Sequence, residues 1–493
     1  MIVQERAGTT IGKTRIMILG GGFGGVYCAK KLEQLMARWN LDIEITLVSR
    51  QNFFVFTPML PQVVSGMIES NHVVVPVRQV LKRSRFYEAD VVSIDTEAKQ
   101  VKLRITEGEE TVSDVALGYD QLVVSLGSDT NFASMPHISE FVFTLKNLRD
   151  ALVLRNHVID MLERAEIETD EQKRKRLLNF VIVGGGLSGI ETAAELNSFL
   201  HKVLKYYPGL TVNPSVRCPP FQVTIVQSRD RILPEVNAEL AAFTLAKMRE
   251  QETSIILNSK VIDVRSDSAI IADKQGKHTI IPTETVIWTT GVSANSVLSG
   301  IPCEKPATGR LPVDSFLRVK GHNEIWSVGD CAHIIQGLSG EPFPPTAQHA
   351  LKEAEVAAWN IAWQLRKGSV DGMKKFDYAR DAQMAIIGNR TAIASIAGIN
   401  LSGFLVWCLW RLVYLKKLPM LKKRLRVAFD WLIDLFFDPD LTHIRGLKEV
   451  PASPISEATQ ASVKARIENQ PDKGTPVPAA DSKRDAARSG IAE

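Results

Sequence analysis

The sequence predicts an α/β fold, and three observations carry that reading. A short apolar strand running into a glycine loop and then a helical pattern occurs twice, at residues 15–25 and 179–189. Each copy returns to a second apolar strand, at 43–48 and at 221–226. The composition then changes at about residue 401, where aromatic and basic residues dominate up to about residue 437.

The bulk properties agree with a multidomain globular chain. Its 493 residues suggest about three domains, and 45% hydrophobic with 23% charged residues excludes wholesale disorder. A net charge of +4 is too mild to imply nucleic acid. Cys28, Cys218, Cys303, Cys331 and Cys408 never form C-x-x-C, so a zinc ribbon, a dithiol centre and a disulfide framework are disfavoured and no metal is expected. Residues 1–13 are polar and do not resemble a secretory signal. The longest apolar stretch, 401–415, is broken by Arg411 and falls short of the roughly 18 residues that span a bilayer.

Gly20, Gly22 and Gly25 in the first loop, and Gly184, Gly186 and Gly189 in the second, have the G-x-G-x-x-G spacing. The first glycine permits a tight turn, the second lets a pyrophosphate approach the backbone, and the third lets helix and strand pack closely. Phe23, Gly24, Leu187 and Ser188 complete the two loops and open the helices whose N-termini would hold the anion. Strand, loop, helix and returning strand describe two Rossmann-like dinucleotide-binding units. Two sites in one chain suggest a bound flavin and a diffusing nicotinamide.

An acidic residue for the ribose is expected at the end of each second strand, about 20 residues on. Both positions are neutral here. The first strand ends in Ser49-Arg50, and Ser49 can still bond a ribose hydroxyl. The second ends in Gln227-Ser228-Arg229. Gln227 would not repel a 2′-phosphate and Arg229 could pair with one, so NADPH is expected alongside NADH. The alternative is that Arg229 is a solvated surface residue.

Further motifs identify a family. Residues 52–61, with Thr57 and Pro58, residues 119–128, with Gly127, and residues 286–292, with Thr290 and Gly291, resemble segments of the type II NADH dehydrogenases. These are single-subunit NADH:quinone oxidoreductases, and the likeness extends from about Arg15 to about Gly446. Residues 325–332 are similar to the second FAD motif of the wider superfamily, with Gly329 and with Asp330 aimed at the ribityl hydroxyls; a buried capping Asp is the plainer reading. Because that motif follows the second loop, the resemblance implies a discontinuous FAD domain. Its parts are expected at 14–147 and 313–375, around an NAD(P)H domain at 148–312. A C-terminal membrane-anchor region at 376–446 and a disordered tail at 447–493 complete the chain.

The resemblance also implies roles. Glu191 matches the family glutamate between nicotinamide and flavin, or else stabilises its helix N-terminus as a charge. Residues 344–353 resemble the quinone-site motif A-Q-x-x-x-Q: Ala347 and Gln348 match, and Lys352 replaces the second glutamine. Four residues apart, Gln348 and Lys352 would share a helical face and one pocket; alternatively Lys352 points to solvent. His349 reads as structural, and Cys331 as a small packed hydrophobe. The segment 400–415, with Lys416, Lys417, Lys422, Lys423, Arg424 and Arg426 after it, reads as an amphipathic monotopic anchor with basic residues at headgroups. A second amphipathic pattern runs through Trp431, Leu432, Leu435 and Phe436. A dimerisation helix pair is the other reading, and a homodimer is expected.

The implied enzyme takes hydride from NADH or NADPH onto a flavin that the resemblance makes a non-covalent FAD, and reduces a membrane quinone, ubiquinone or menaquinone, without pumping protons. It would sit peripherally on the cytoplasmic face of the cell membrane. The alternatives are a flavoprotein that reduces another acceptor, and a slow-turnover membrane-attached redox sensor.

Overall fold

The structure, a computed structural model, describes residues 12–444 except 108–109, 133–134, 211–218, 338–339, 379–381 and 389. The expected disordered tail and Cys218 lie outside the described residues.

The first glycine module builds a five-stranded parallel sheet in the order Ile325–Ser327, Gln121–Val124, Thr14–Leu19, Ile43–Ser49, Arg85–Glu88. Strands covered on both faces need continuous apolar runs rather than alternation. Ile16, Met17, Ile18 and Leu19 are accordingly all buried. Helix Phe23–Trp39 packs along helix Ala347–Lys367, which brings the quinone-motif segment against the first glycine loop's helix.

Ile325–Ser327 reaches this sheet from beyond the second module and pairs in parallel with Gln121–Val124. Trp326 is fully buried there, and its indole N–H donates to Gln121 Oε1 at 2.9 Å. A buried indole without such a partner would be unfavourable, so this bond fixes which tryptophan edge faces the neighbouring strand.

The second module builds a four-stranded parallel sheet, Ser254–Ile256, Gln222–Val226, Asn179–Val183, Thr285–Trp288. An antiparallel three-stranded sheet follows from it, Ser259–Arg265, Ser268–Asp273, His278–Pro282. The segments leaving the closing strands of the two modules meet each other: Ser128–Thr130 pairs antiparallel with Val292–Ala294. The two glycine modules are thereby tied next to Gly127 and Gly291.

The C-terminal region departs from the sequence expectation in three ways. Residues 400–403 belong to the last strand of an antiparallel sheet, Ala382–Ile386, Ala392–Ile396, Ile399–Gly403, and the helix begins only at Phe404. Gly403, at φ 99°, makes the turn between them, a conformation a side chain would strain. Next, the basic cluster is divided between two faces of the helices Phe404–Lys417 and Leu421–Ile433. Arg411 turns inward, 3.7 Å from the Trp407 ring centroid and 4.9 Å from that of Trp431. Lys423 is buried too and donates to the Asn71 carbonyl. Finally, Trp431 faces the core while Leu432, Leu435 and Phe436 are exposed, so those four residues do not share one face.

Outward from these helices stand Leu405, Leu412, Leu421, Leu425, Phe429, Phe436 and Phe437, all exposed, with Leu405 at 80%. Their inward faces bury Val406, Trp407, Trp410 and Val427. Among the described residues, no helix is long and apolar enough to cross a membrane.

Replacing Trp326 by Phe keeps the ring but orphans Gln121 Oε1. A loss of about 1–3 kcal/mol is expected, read as a lowered melting temperature; an unchanged transition would remove this bond from the account of how the first sheet closes.

Candidate functional site

The first loop has the shape of an anion cradle. A Cβ on Gly20, at φ 108°, would meet Ser125 O at 2.1 Å, and one on Gly25 would meet Gly20 O at 1.8 Å. Both glycines are therefore required by close packing of strand and helix. Gly22 differs, because nothing lies within 4 Å of where its Cβ would be. It is also the N-cap of helix Phe23–Trp39 and supplies no side-chain cap, so the first helical N–H groups face this open side. That arrangement fits a pyrophosphate.

The other first-module residues divide between cradle and core. Phe23 turns its ring into the core, edge-on to Phe54 at 4.8 Å, and Gly24 packs against Val328. Ser49 is half-buried beneath Gly21, where a ribose would pass. Arg50 is exposed and paired with Asp90 at 2.5 Å. Thr57 and Pro58 form a half-buried 3₁₀ turn. Asp330 sits in the 3₁₀ turn Gly329–Cys331, and its Oδ2 accepts from Ser128 Oγ at 2.6 Å. Lys146 donates to the Ser128 carbonyl at 3.1 Å beside Asp330, and burial pulls its ammonium below the usual lysine range. Gly127, Ser128 and Asp330 thus meet at the carboxyl ends of neighbouring strands, where open parallel sheets place ligands. Cys331 is buried, its S–H donates to the Gly127 carbonyl at 3.3 Å, and burial pushes its thiol up to about 12. It behaves as a packed residue, not a redox thiol.

The second loop repeats the geometry. A Cβ on Gly189 would lie 1.9 Å from Gly184 O, and Gly186 caps helix Leu187–Val203 without a side chain. Leu187 is half-buried and Ser188 exposed at its start. Thr290 and Gly291 border this loop at the end of Thr285–Trp288, with Thr290 Cβ 3.0 Å from the Gly184 Cβ position. Gln227 is buried: its Oε1 accepts from Gly185 N at 3.4 Å and its Nε2 donates to Arg231 O at 3.1 Å. It braces the loop as well as standing at the strand end. Arg229 is exposed. Sequence reasoning missed Glu235, whose carboxylate lies 3.2 Å from the Gly186 Cβ position.

Glu191, on the first turns of Leu187–Val203, is half-buried and accepts from Ile386 N at 3.3 Å. Desolvation lifts its carboxyl to about 8, against the lowering effect of the Ile386 hydrogen bond. A charged helix-stabilising role is therefore disfavoured. Tyr414, from the first C-terminal helix, is close enough to feel its charge.

The quinone-motif helix splits as follows. Ala347 and Gln348 are half-buried at its start. Lys352 is exposed, and its ammonium lies 3.5 Å from Glu355. Of the two readings of Lys352, this arrangement fits the one in which it points to solvent: spacing by four leaves the long side chain free to turn outward to the neighbouring acid. His349 is buried beside Thr346 Oγ1 at 2.7 Å and the rings of Phe343 and Tyr378, as a structural residue would be.

Glu353, one position on, was not singled out by any motif. It is 3% exposed, accepts from the Gly329 backbone N–H and is raised to about 8 by burial. A folded-state value above the ordinary one means the folded protein binds more protons between about pH 4.5 and 8. Its contribution to stability therefore declines as pH rises through that window. Glu353→Gln keeps an acceptor for Gly329 and removes the titration, so its melting temperature should match wild type near pH 4.5 and exceed it near pH 8. Parallel curves for the two proteins would contradict this.

Comparison with known proteins agrees with this geometry. Residues 14–354 match the pyridine nucleotide-disulphide oxidoreductase family, and residues 383–440 match the NDH2 C-terminal domain. A probable NADH dehydrogenase of Dictyostelium discoideum is 30% identical over 446 residues, covering 90% of this chain and 94% of that protein. A type II NADH:quinone oxidoreductase of Mycobacterium tuberculosis is 27% identical, over 87% of this chain and 90% of its own length. The solved structure of Plasmodium falciparum NDH2 in complex with NADH has a TM-score of 0.79 at 21% identity, covering 87% of this chain and 100% of that one, which speaks for the fold. The chain belongs to the pyridine nucleotide-disulphide oxidoreductase family and, within it, to the type II NADH dehydrogenases.

Proposed function

We propose that this chain is a non-proton-pumping NAD(P)H:quinone oxidoreductase attached to a membrane surface. The single observation that supports it best is the pair of uncapped glycine cradles, with Glu191 on the helix that leaves the second. FAD, bound non-covalently in the first cradle, would supply the two-electron chemistry between nicotinamide and acceptor. The residues of this chain bind and orient around it. Gly20, Gly22 and Gly25 would hold the pyrophosphate on backbone N–H groups, Ser49 a ribose hydroxyl, and Asp330, kept in place by Ser128, the ribityl chain. Gly184, Gly186 and Gly189 would do the same for the nicotinamide dinucleotide, with Thr290 and Gly291 alongside. Glu191 holds a proton near the acceptor, and Gln348 offers an amide to a quinone carbonyl. Lys352, turned to solvent, gives no reason to invoke a different acceptor.

Gln227 brings no negative charge to the second ribose site, and exposed Arg229 is available to a 2′-phosphate. NADPH should therefore be used alongside NADH. The relatives named external alternative NAD(P)H-ubiquinone oxidoreductases, among them one of Arabidopsis thaliana at 31% identity, accord with this.

The apolar outer face of the two C-terminal helices supports seating in the acyl boundary, with exposed Lys416, Lys422 and Arg426 at anionic headgroups. The cytoplasmic face of the cell membrane is the leaflet we assign. A lipophilic quinone would then enter from the side where these helices sit. A homodimer through the same helices would compete for that face.

Three outcomes follow. Glu191→Gln should leave NADH-driven flavin bleaching nearly intact but slow quinone turnover by about 100-fold or more, the usual worth of a positioned proton donor; full turnover would dismiss that role. Comparing kcat/KM for NADH and NADPH tests the donor reading, and Gln227→Glu should depress the NADPH value selectively. Leu405→Glu with Phe429→Glu should release the protein from anionic vesicles without unfolding it, since both side chains are exposed. Continued sedimentation together with an unchanged oligomeric state would place the anchor elsewhere.

A further inference from the structure

One helical turn beyond Glu191, Glu195 lies buried at 4% exposure among polar side chains from several elements. Its surroundings come from four elements. Helix Leu60–Val64 contributes Gln62 and the C-cap Ser65, both buried. The helix Leu148–Ile167 sends Arg155 to the Val64 carbonyl at 3.3 Å. The first C-terminal helix contributes Trp410 and Arg411, and the second contributes Trp431, with Asp434 just after it. Ser65 Oγ lies 3.0 Å from Glu195 Oε2 and 3.2 Å from the Gln62 carbonyl. Trp431 donates its indole N–H to Gln62 Oε1 at 3.1 Å.

This geometry accepts two protonation states. With Glu195 ionised, Ser65 donates its single proton to the carboxylate. With Glu195 protonated, the acid donates to Ser65 Oγ and Ser65 donates to the Gln62 carbonyl instead. A hydroxyl with exchangeable partners at both distances can turn between them. Of the groups facing Glu195, the Ser65 hydroxyl, Arg411 and Lys202 favour its ionised form, while Asp434 opposes it. Burial outweighs the cations and places its carboxyl at about 7, slightly below Glu191 at about 8. Three buried donors in the same region, Gln62 Nε2, Trp410 Nε1 and Arg411 Nε, have no acceptor among the described residues. Lys202, on the same helix as Glu195, pairs with Asp434 at 2.6 Å, and the lysine is about one-third exposed.

We propose that Glu195, turned by Ser65, is the proton-holding group that recharges Glu191 from solvent during reduction of the acceptor. This rests on the reading of the chain as a quinone reductase. The balance requires such a supply. NAD(P)H plus quinone plus one proton gives NAD(P)+ plus quinol: the hydride brings two electrons and one hydrogen nucleus, and the second comes from solvent. The proton enters at the Lys202–Asp434 rim, rests on Glu195, passes to Glu191 when that acid has given up its own, and ends on a quinone oxygen. Glu195 does not touch the reacting atoms; it is a positioning residue for the proton.

The test compares full-length, FAD-loaded wild type, Glu195→Gln, Glu195→Asp and Ser65→Ala. Each is assayed with NADH and either a short-chain ubiquinone analogue or ferricyanide, which takes electrons without protons. Expected for Glu195→Gln is a loss of quinone turnover of about tenfold to 100-fold, with ferricyanide turnover and flavin bleaching within about twofold of wild type. Wild-type quinone turnover should fall above about pH 7 as the reservoir empties. Glu195→Asp should restore part of the rate, and Ser65→Ala should displace the pH limb while leaving ferricyanide turnover alone. Retention of wild-type quinone turnover and pH profile by Glu195→Gln overturns the proposal. Should that variant not fold, an unshifted profile in Ser65→Ala overturns it equally. Wild type that bleaches with NADH and reduces ferricyanide but no quinone overturns the quinone reading, and the relay with it.

Discussion

The parallel pairing of Ile325–Ser327 with Gln121–Val124 is the contact on which the rest of the molecule depends. It brings chain from beyond the second module back to the first sheet, and places Asp330 within 2.6 Å of Ser128. Beyond that strand the chain continues through the turn Gly329–Cys331 into helix Ala347–Lys367, whose Glu353 accepts from the Gly329 backbone N–H. The helix then packs on Phe23–Trp39, whose N-terminus forms the first cradle. The buried Trp326–Gln121 bond and the Ser128–Thr130 pairing with Val292–Ala294 secure the two ends of this arrangement. A parallel strand added at such sequence distance loses chain entropy on closure, and the buried Trp326 with its satisfied N–H offsets part of that loss.

Burial performs a second task, which is electrostatic. Glu191, Glu195 and Glu353 all sit where the charged form is poorly solvated, and each carboxyl is raised well above its ordinary value. In a reaction that must place a proton on a reduced acceptor, neutral acids near neutral pH are useful donors. The cations near them are also constrained. Arg411 is held between two tryptophan rings, and burial lowers its guanidinium to about 10. The C-terminal helices therefore do more than present an apolar outer face. Their inner face helps enclose Glu195, with Arg411 and Asp434 close enough to act on its charge.

Legibility in the sequence followed the range of the interactions. The glycine loops were readable because their geometry depends on local backbone: Gly20 and Gly25 are demanded by contacts within one strand-loop-helix unit. The strand carrying Asp330 was readable only through resemblance, since no local rule pairs 325–327 with 121–124. Lys423 reads as one of the surface bases in the sequence because composition cannot tell which face of a helix docks. The start of the C-terminal helix was placed too early for a related reason, as 400–403 is apolar enough for either state and is decided by its partner strand. Glu195 and Glu353 carried no signal at all, because acids on amphipathic helices are ordinary until something buries them.

By itself the sequence determined the two dinucleotide cradles, the absence of paired cysteines and the aromatic, basic C-terminus, since each is a property of neighbouring residues and their spacing. The tertiary structure decided which charges are buried. It turned Lys352 outward to Glu355, Arg411 inward between Trp407 and Trp431, and Gln227 onto its own glycine loop. It also enclosed Glu195 between segments that lie far apart along the chain. The physical reason is that solvation is a property of the assembled surroundings: a carboxylate or guanidinium is strongly hydrated in the open chain, and only packing from distant elements withdraws that water.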